Sequence, residues 1–180
     1  FLSNTVTDRF ESVREKLQKF LGAEHSDEIV FTSGTTEGIN LISYGWGQNN
    51  LYEGDEIILS IMEHHANIVP WHFLRERKGV ILRWVEPRSD GSLPAEDILG
   101  AITANTKLIA ITHMSNVLGS VVDVAKICNS TMTKNIPVLV DGCQGAPHLK
   151  LDMQELDCDF YAISGHKMYG PTGIGVLYAK

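Results

Sequence analysis

Cysteine is scarce in this chain, and the three present, Cys128, Cys143 and Cys158, form no CxxC pair. That excludes a disulfide framework and a structural zinc knuckle, and leaves reduced, partly buried thiols as the expectation. No apolar run reaches the ~18 residues a membrane-spanning helix needs. The opening stretch FLSNTVTDRFESVREKLQKF alternates charge with apolar residues and lacks the unbroken apolar core of a secretory signal. A cytoplasmic location is therefore expected. Positive charge is short as well, 15 Lys and Arg against 22 Asp and Glu for a net charge of −7, which argues against general affinity for nucleic acid. No GxxxxGK[ST], GxGxxG or HExxH occurs, so the P-loop, the dinucleotide fingerprint and the helical zinc motif are missing. Internal repeats and low-complexity tracts are absent too.

What remains is an ordinary globular composition, 43% hydrophobic and 21% charged over 180 residues. A domain of this size buries roughly 70% of its unfolded surface, enough for a core without staples. Phe10, Val13, Leu17 and Leu21 fall at helical spacing and predict an amphipathic helix over 8–21. Short apolar runs bounded by turn residues predict strands at 28–32, 56–60, 80–85, 107–112, 136–140, 160–163 and 175–178. Helices are expected after Thr36 and over 68–77, 95–102 and 121–134. Strands alternating with helices imply an α/β domain with a largely parallel sheet.

In such sheets ligands collect at the carboxyl ends of the strands. Five polar clusters lie there: Ser33 to Glu37, Glu63 to Asn67, His113 to Asn116, Asp141 to Gln144, and Ser164 to Lys167. Gly34-Thr35-Thr36 leaves a strand and opens a helix, a turn that serves either as an anion site or as a plain helix cap. Asp141 ends a run of apolar residues, where a carboxylate calls for a cation. That cation is either a Lys or Arg of the chain or a protonated ring nitrogen of a ligand. Lys167 lies in a glycine-rich loop, Ser164-Gly-His-Lys-Met-Tyr-Gly-Pro-Thr-Gly173. It is either a solvated charge or an amine that forms a Schiff base with a carbonyl compound. His64 and His65, with His72 nearby, match no zinc spacing, so no metal is expected. A histidine at this position can instead stack on an aromatic ring and relay protons. Asn116 and Gln144 can hydrogen-bond a ring oxygen, although Asn116 alone would more often be a turn residue.

One ligand meets all these demands. It carries a phosphate for Thr35 and Thr36, an aromatic face for a histidine, a basic ring nitrogen for Asp141, a ring oxygen for Asn116 and Gln144, and an aldehyde for Lys167. Pyridoxal 5′-phosphate has all five features.

The segments Thr32-Ser-Gly-Thr-Thr-Glu-Gly-Ile-Asn40, Met62-Glu-His-His-Ala-Asn-Ile-Val-Pro-Trp71, Met114-Ser-Asn-Val-Leu-Gly119, Val140-Asp-Gly-Cys-Gln-Gly-Ala146 and Asp157-Cys-Asp-Phe-Tyr-Ala-Ile-Ser-Gly-His-Lys-Met-Tyr-Gly-Pro-Thr-Gly-Ile-Gly175 resemble the class V aminotransferase family. Within it they look most like the group II cysteine desulfurases and the related selenocysteine lyases. The resemblance implies the large domain of a fold type I pyridoxal-phosphate-dependent transferase, with a mostly parallel central sheet flanked by helices. It implies that Lys167 binds the cofactor aldehyde, that Asp141 pairs with the ring nitrogen, and that His64, rather than His65, stacks on the ring. Thr35, Thr36, Ser164 and His166 would hold the phosphate, and Asn116 and Gln144 the ring or its oxygen. The implied reaction removes sulfur from L-cysteine, leaving L-alanine and an enzyme persulfide for iron–sulfur cluster assembly. The implied partners are a sulfur-acceptor protein and a second subunit in a homodimer. A selenocysteine lyase, another class V lyase, or a non-catalytic module of the same fold stay open as alternatives.

Cys143 departs from the family pattern, which has alanine or serine there, and is read as a small core residue. The family's sulfur-accepting cysteine comes from a segment well after the lysine. Residues 1–180 are accordingly expected to be the cofactor-binding large domain, with the small domain and the catalytic cysteine outside them, and to be inactive alone.

Overall fold

A computed structural model of the chain describes residues 2–180, with side chains from Ser3 onward; Phe1, the first residue of the expected domain, lies outside the described residues. Seven strands form one sheet: β1 (Ile29–Thr32), β2 (Glu56–Ser60), β3 (Ile81–Val85), β4 (Thr106–Thr112), β5 (Val138–Asp141), β6 (Phe160–Ser164) and β7 (Gly175–Ala179). Their spatial order is β1-β7-β6-β5-β4-β2-β3. The pairs β2–β3, β2–β4, β4–β5 and β5–β6 are parallel, whereas β7 runs antiparallel to both β6 and β1. The β6–β7 connection holds only a 3₁₀ turn, Gly165–Met168, and a crossover to a parallel strand needs a dozen or more residues, usually a helix. That short link reverses β7, while the rest of the sheet is parallel as its strand–helix alternation dictates.

The central strands alternate between two apolar faces, as a sheet covered on both sides requires. Ile58, Ile109, Ile111, Val138, Val140, Tyr161, Ile163 and Val176 point into one core. Ile57, Leu59, Leu108, Ala110, Leu139, Ala162 and Leu177 point into the other. The first core is covered by the end of α1 (Leu2–Leu21), by α5 (Ala95–Gly100) and α6 (Val124–Thr131), and by two single-turn helices, α7 (Gly145–His148) and α8 (Met153–Leu156). The second is covered by α2 (Thr35–Leu41), by its continuation through a π-helical turn at Ile42–Gly47 into α3 (Gln48–Asn50), and by α4 (Val69–Lys78). Among the described residues no helix is long and apolar enough to cross a membrane.

Several boundaries differ from the periodicity. Helix α1 begins at Leu2 rather than Asp8, and its expected buried face is half-open, with Phe10 49% and Val13 42% exposed. Phe10 packs instead against Phe31 of β1 at 4.5 Å between ring centroids, with the Arg14 guanidinium over both rings. Helix α6 starts only at Val124 because Asp123 caps it, accepting the Lys126 amide at 3.0 Å. Strand β5 starts only at Val138, two residues after the expected Ile136, since Pro137 has no N–H to give the ladder. Helices α7 and α8 are too short to show a 3.6-residue period, and Gly145 and Pro147 read as breakers.

Candidate active site

Five parallel strands, β2 to β6, end on one edge of the sheet, and the chain order reverses beside β2, where β3 lies on one side and β4 on the other. That is the crevice position where ligands bind in open α/β sheets. There lies a cavity of about 240 Å³, lined by Thr35, Thr36, His64, Ala66, Thr112, Met114, Asn116, Asp141, Cys143, Gln144, Ser164, His166 and Lys167. All nine residues nominated from the sequence thus meet at one place: two from the start of α2, one each after β2 and β4, two after β5, and three at the end of β6.

Asp141 is the last residue of β5 and is 4% exposed. Its Oδ1 accepts the Cys143 amide at 3.0 Å. It belongs to none of the ion pairs among the described residues. Burial pushes its carboxyl up from the ordinary aspartate range; that amide bond and the nearby His64 oppose the shift. A buried carboxylate without a cation is costly. Among the described residues no Lys or Arg of the chain, the first alternative raised by the sequence, pairs with it.

His64 enters from the turn after β2. Its Nδ1 accepts the Ala66 amide at 3.1 Å, capping the 3₁₀ turn His65–Asn67. A ring nitrogen that accepts carries no proton, so the neutral ring is protonated at Nε2. His65 does not line the cavity; it borders a neighbouring apolar hollow with Ile61, Pro87 and Leu118.

The opposite wall is a backbone cradle. The Thr35 amide donates to Ser164 Oγ at 2.9 Å, and Ser164 Oγ donates to Thr35 Oγ1 at 3.0 Å. Gly175 of β7 pairs with both Thr32 and Ser164. A Cβ there would stand 2.5 Å from the Gly34 Cα and 2.6 Å from the Ile163 carbonyl. Only glycine lets the α2 turn close on the end of β6. Lys167 follows on the 3₁₀ turn Gly165–Met168, exposed, and in no hydrogen bond or ion pair among the described residues. The turn ends at Tyr169 in the left-handed region, φ 61°, its ring 94% exposed.

Cys143 is not the core residue expected. It is half-buried, faces the cavity, and its Sγ lies 3.3 Å from Thr35 Oγ1. Cys128 and Cys158 are the buried pair, and burial raises both thiols, Cys128 to about 12. Thr112, Met114 and Ala66 complete the lining. Their position just past strand ends was the one available signal. Among the described residues no group of three His, Cys, Asp or Glu is arranged to hold a metal ion.

Two buried groups beside the site titrate in opposite senses. Glu63 is pushed from its ordinary 4.5 up to about 7 by burial, against the pull of hydrogen bonds from Ser60, Asn67 and the Thr112 backbone. His113, hydrogen-bonded through Nδ1 to the Tyr161 hydroxyl at 2.8 Å, is pushed from 6.5 down to about 4 by burial. A carboxyl raised on folding contributes stability below its unfolded value that is lost as pH rises through the folded value. A histidine lowered on folding contributes stability at high pH that is lost as pH falls. Each effect amounts to about 3 kcal/mol over its window, at roughly 1.4 kcal/mol per pH unit. They nearly cancel between about pH 4.5 and 6.5. Urea unfolding of the ligand-free chain should show this: Glu63→Gln leaves stability rising with pH across that interval, and His113→Asn leaves it falling. Parallel profiles for the two variants would contradict the assignment.

The Aminotransferase class-V family matches residues 2–180. A cysteine desulfurase of an Enterobacter species is 50% identical over 179 residues, which are 99% of this chain and 44% of that protein. Among solved structures, the cysteine desulfurase CsdA of Escherichia coli superposes with a TM-score of 0.93 at 42% identity, over 98% of this chain and 44% of its own. A C-DES mutant crystallised with glycine covalently linked to its PLP cofactor superposes with a TM-score of 0.88 at 26% identity, over 99% of this chain and 47% of its own. The chain thus spans less than half the length of these relatives. Along essentially all of its own length it belongs to the class V aminotransferases.

Proposed function

We propose that this chain is the cofactor-binding core of a pyridoxal-phosphate-dependent cysteine desulfurase, which takes sulfur from L-cysteine, leaves L-alanine and passes the sulfur on as a persulfide for iron–sulfur cluster assembly. The observation that carries the reading is Asp141, a buried carboxylate lacking a cation in the same cavity as an unpaired lysine, Lys167. A protonated ring nitrogen supplies the missing charge, and an aldehyde gives the free amine its partner. The names of the Enterobacter and Escherichia coli relatives agree with this reading.

When bound, pyridoxal phosphate supplies a carbonyl that condenses with amines and a ring that draws electrons from the carbon beside the amine. The chain's residues do the rest. Lys167 Nζ would hold the aldehyde, and its free amine would be the base for the substrate α-proton. Asp141 keeps a proton on the ring nitrogen. His64 would stand against the ring and offer its Nε2 proton to the cavity. Thr35, Thr36, Ser164 and His166 would bind the phosphate, and Asn116 and Gln144 would hold the ring oxygen in place. Thr35 and Ser164 already hold each other in register across the sheet edge, so their hydroxyls are pre-oriented.

By the family resemblance, the acceptor thiol is placed in the part of the relatives' length that this chain does not span. By the same resemblance the protein works as a homodimer in the cytoplasm and delivers sulfur to an acceptor protein. The complete gene product that contains this chain, loaded with pyridoxal phosphate and given L-cysteine, should release alanine in step with protein-bound persulfide. A loaded protein that forms no alanine would refute the proposal.

A further inference from the structure

Behind His64 lies a buried hydrogen-bonded chain that does not touch the cavity. Glu63, 7% exposed, accepts the Ser60 hydroxyl on Oε1 at 2.5 Å and the Asn67 side-chain amide on Oε2 at 2.7 Å. Asn67, 0% exposed, accepts the Trp71 indole N–H on Oδ1 at 3.0 Å. Its backbone N–H returns to the His64 carbonyl at 2.8 Å. The chain has a direction. An indole N–H only donates, so Asn67 must turn its oxygen to Trp71 and its NH₂ to Glu63. Glu63 must then accept, from Asn67 as from Ser60 and the Thr112 backbone. The residues on either side of His64 are thereby tied to each other, and to β2, β4 and α4.

We infer that Glu63 is a positioning residue for His64: with Asn67 and Trp71 it fixes the turn so that the imidazole stands in the cavity with Nδ1 on the Ala66 amide and its proton at Nε2. What His64 then does to a bound ring rests on the function proposed above. The positioning itself is a property of the chain and is measurable without any ligand.

The test has two readouts. In ¹⁵N-resolved imidazole spectra of the ligand-free chain, His64 should show the Nε2–H tautomer in the wild type and a tautomer mixture in Glu63→Gln; an unchanged tautomer overturns the inference. With pyridoxal phosphate added, induced circular dichroism in the cofactor band reports the ring's surroundings. Glu63→Gln should lose as much of it as His64→Ala, and the double variant should fall within about 2-fold of His64→Ala alone, since a residue acting only through another has nothing further to remove. Independent, multiplying losses would make Glu63 a purely structural group and overturn the inference. Trp71→Phe, which deletes the indole N–H but keeps an aromatic ring in the core, frees Asn67 to turn its amide and should restore signal in the Glu63→Gln background. Should Glu63→Gln not fold, Trp71→Phe alone carries the cycle: it must lower the signal with His64 present and leave it unchanged with His64→Ala, and an equal drop in both overturns the inference. A wild-type chain with no induced signal at all refutes the cofactor reading, and the tautomer spectra then decide the positioning claim by themselves.

Discussion

Lys167→Ala should abolish tight retention of pyridoxal phosphate while leaving the fold intact. Lys167 is exposed, without hydrogen bond or ion pair among the described residues, so its removal costs the ligand-free chain little, within about 0.5 kcal/mol of wild type by urea unfolding. Without the amine the cofactor keeps only reversible contacts with the other cavity residues, such as Thr35, Thr36, Ser164, His166 and Asp141, so gel filtration should strip it and the visible band should vanish. Alanine formation by the complete protein should fall by at least ~10³-fold, because the covalent anchor and the base for the α-proton are lost together. Lys167→Arg separates chemistry from charge, since the guanidinium keeps the positive charge but stays protonated and cannot condense with an aldehyde. The arginine variant should behave like the alanine variant. If arginine retains the band, Lys167 acts as an electrostatic anchor and the covalent role is wrong.

Asp141→Asn should move stability and binding in opposite directions. In the ligand-free chain the side chain is a buried carboxylate that accepts the Cys143 amide and, among the described residues, pairs with no cation. The asparagine keeps the oxygen that accepts the Cys143 amide and removes the charge, which should stabilise the ligand-free fold by about 1–3 kcal/mol at neutral pH. The sign has a pH check. Burial raises this carboxyl, so its contribution is present at low pH and lost as pH rises; the stabilisation from Asp141→Asn should shrink on acidification, as the aspartate becomes neutral. With pyridoxal phosphate the order inverts. The ring nitrogen loses its counter-charge, so cofactor affinity should drop by roughly 10-fold or more, with turnover falling further, ~10²–10³-fold, because the electrostatic stabilisation matters most as charge moves into the ring. Thermal unfolding with and without cofactor reads both effects. An asparagine variant less stable than wild type without cofactor, or equally active with it, would show that Asp141 is an ordinary structural carboxylate.

Much of this site was legible before any coordinates. Asp141 and Lys167 announced themselves by position, each directly after an apolar strand, and the parallel sheet follows from strand–helix alternation. The choice of His64 over His65 rested on resemblance; of the two, His64 lines the cavity, and both border the hollow beside it. Other features could not be read. Cys143 looks like any small residue in a strand-end turn, and only the packing of α2 against the end of β6 puts its sulfur beside Thr35. The sequence shows Glu63 as one more charged residue, because nothing local reveals that Ser60, Asn67 and Trp71 close over it. The half-open face of α1 escaped for the opposite reason: periodicity reports which residues share a face, not what lies opposite it.

Borohydride reduction shows whether this cavity holds pyridoxal phosphate through Lys167. The chain is mixed with the cofactor, reduced, digested and mapped by mass spectrometry. One dominant phosphopyridoxyl adduct should form, on the peptide containing Ser164-Gly-His-Lys167, reduced in yield by excess inorganic phosphate competing at Thr35 and Ser164. Adducts spread over the surface lysines, or concentrated on any lysine other than Lys167, would contradict it.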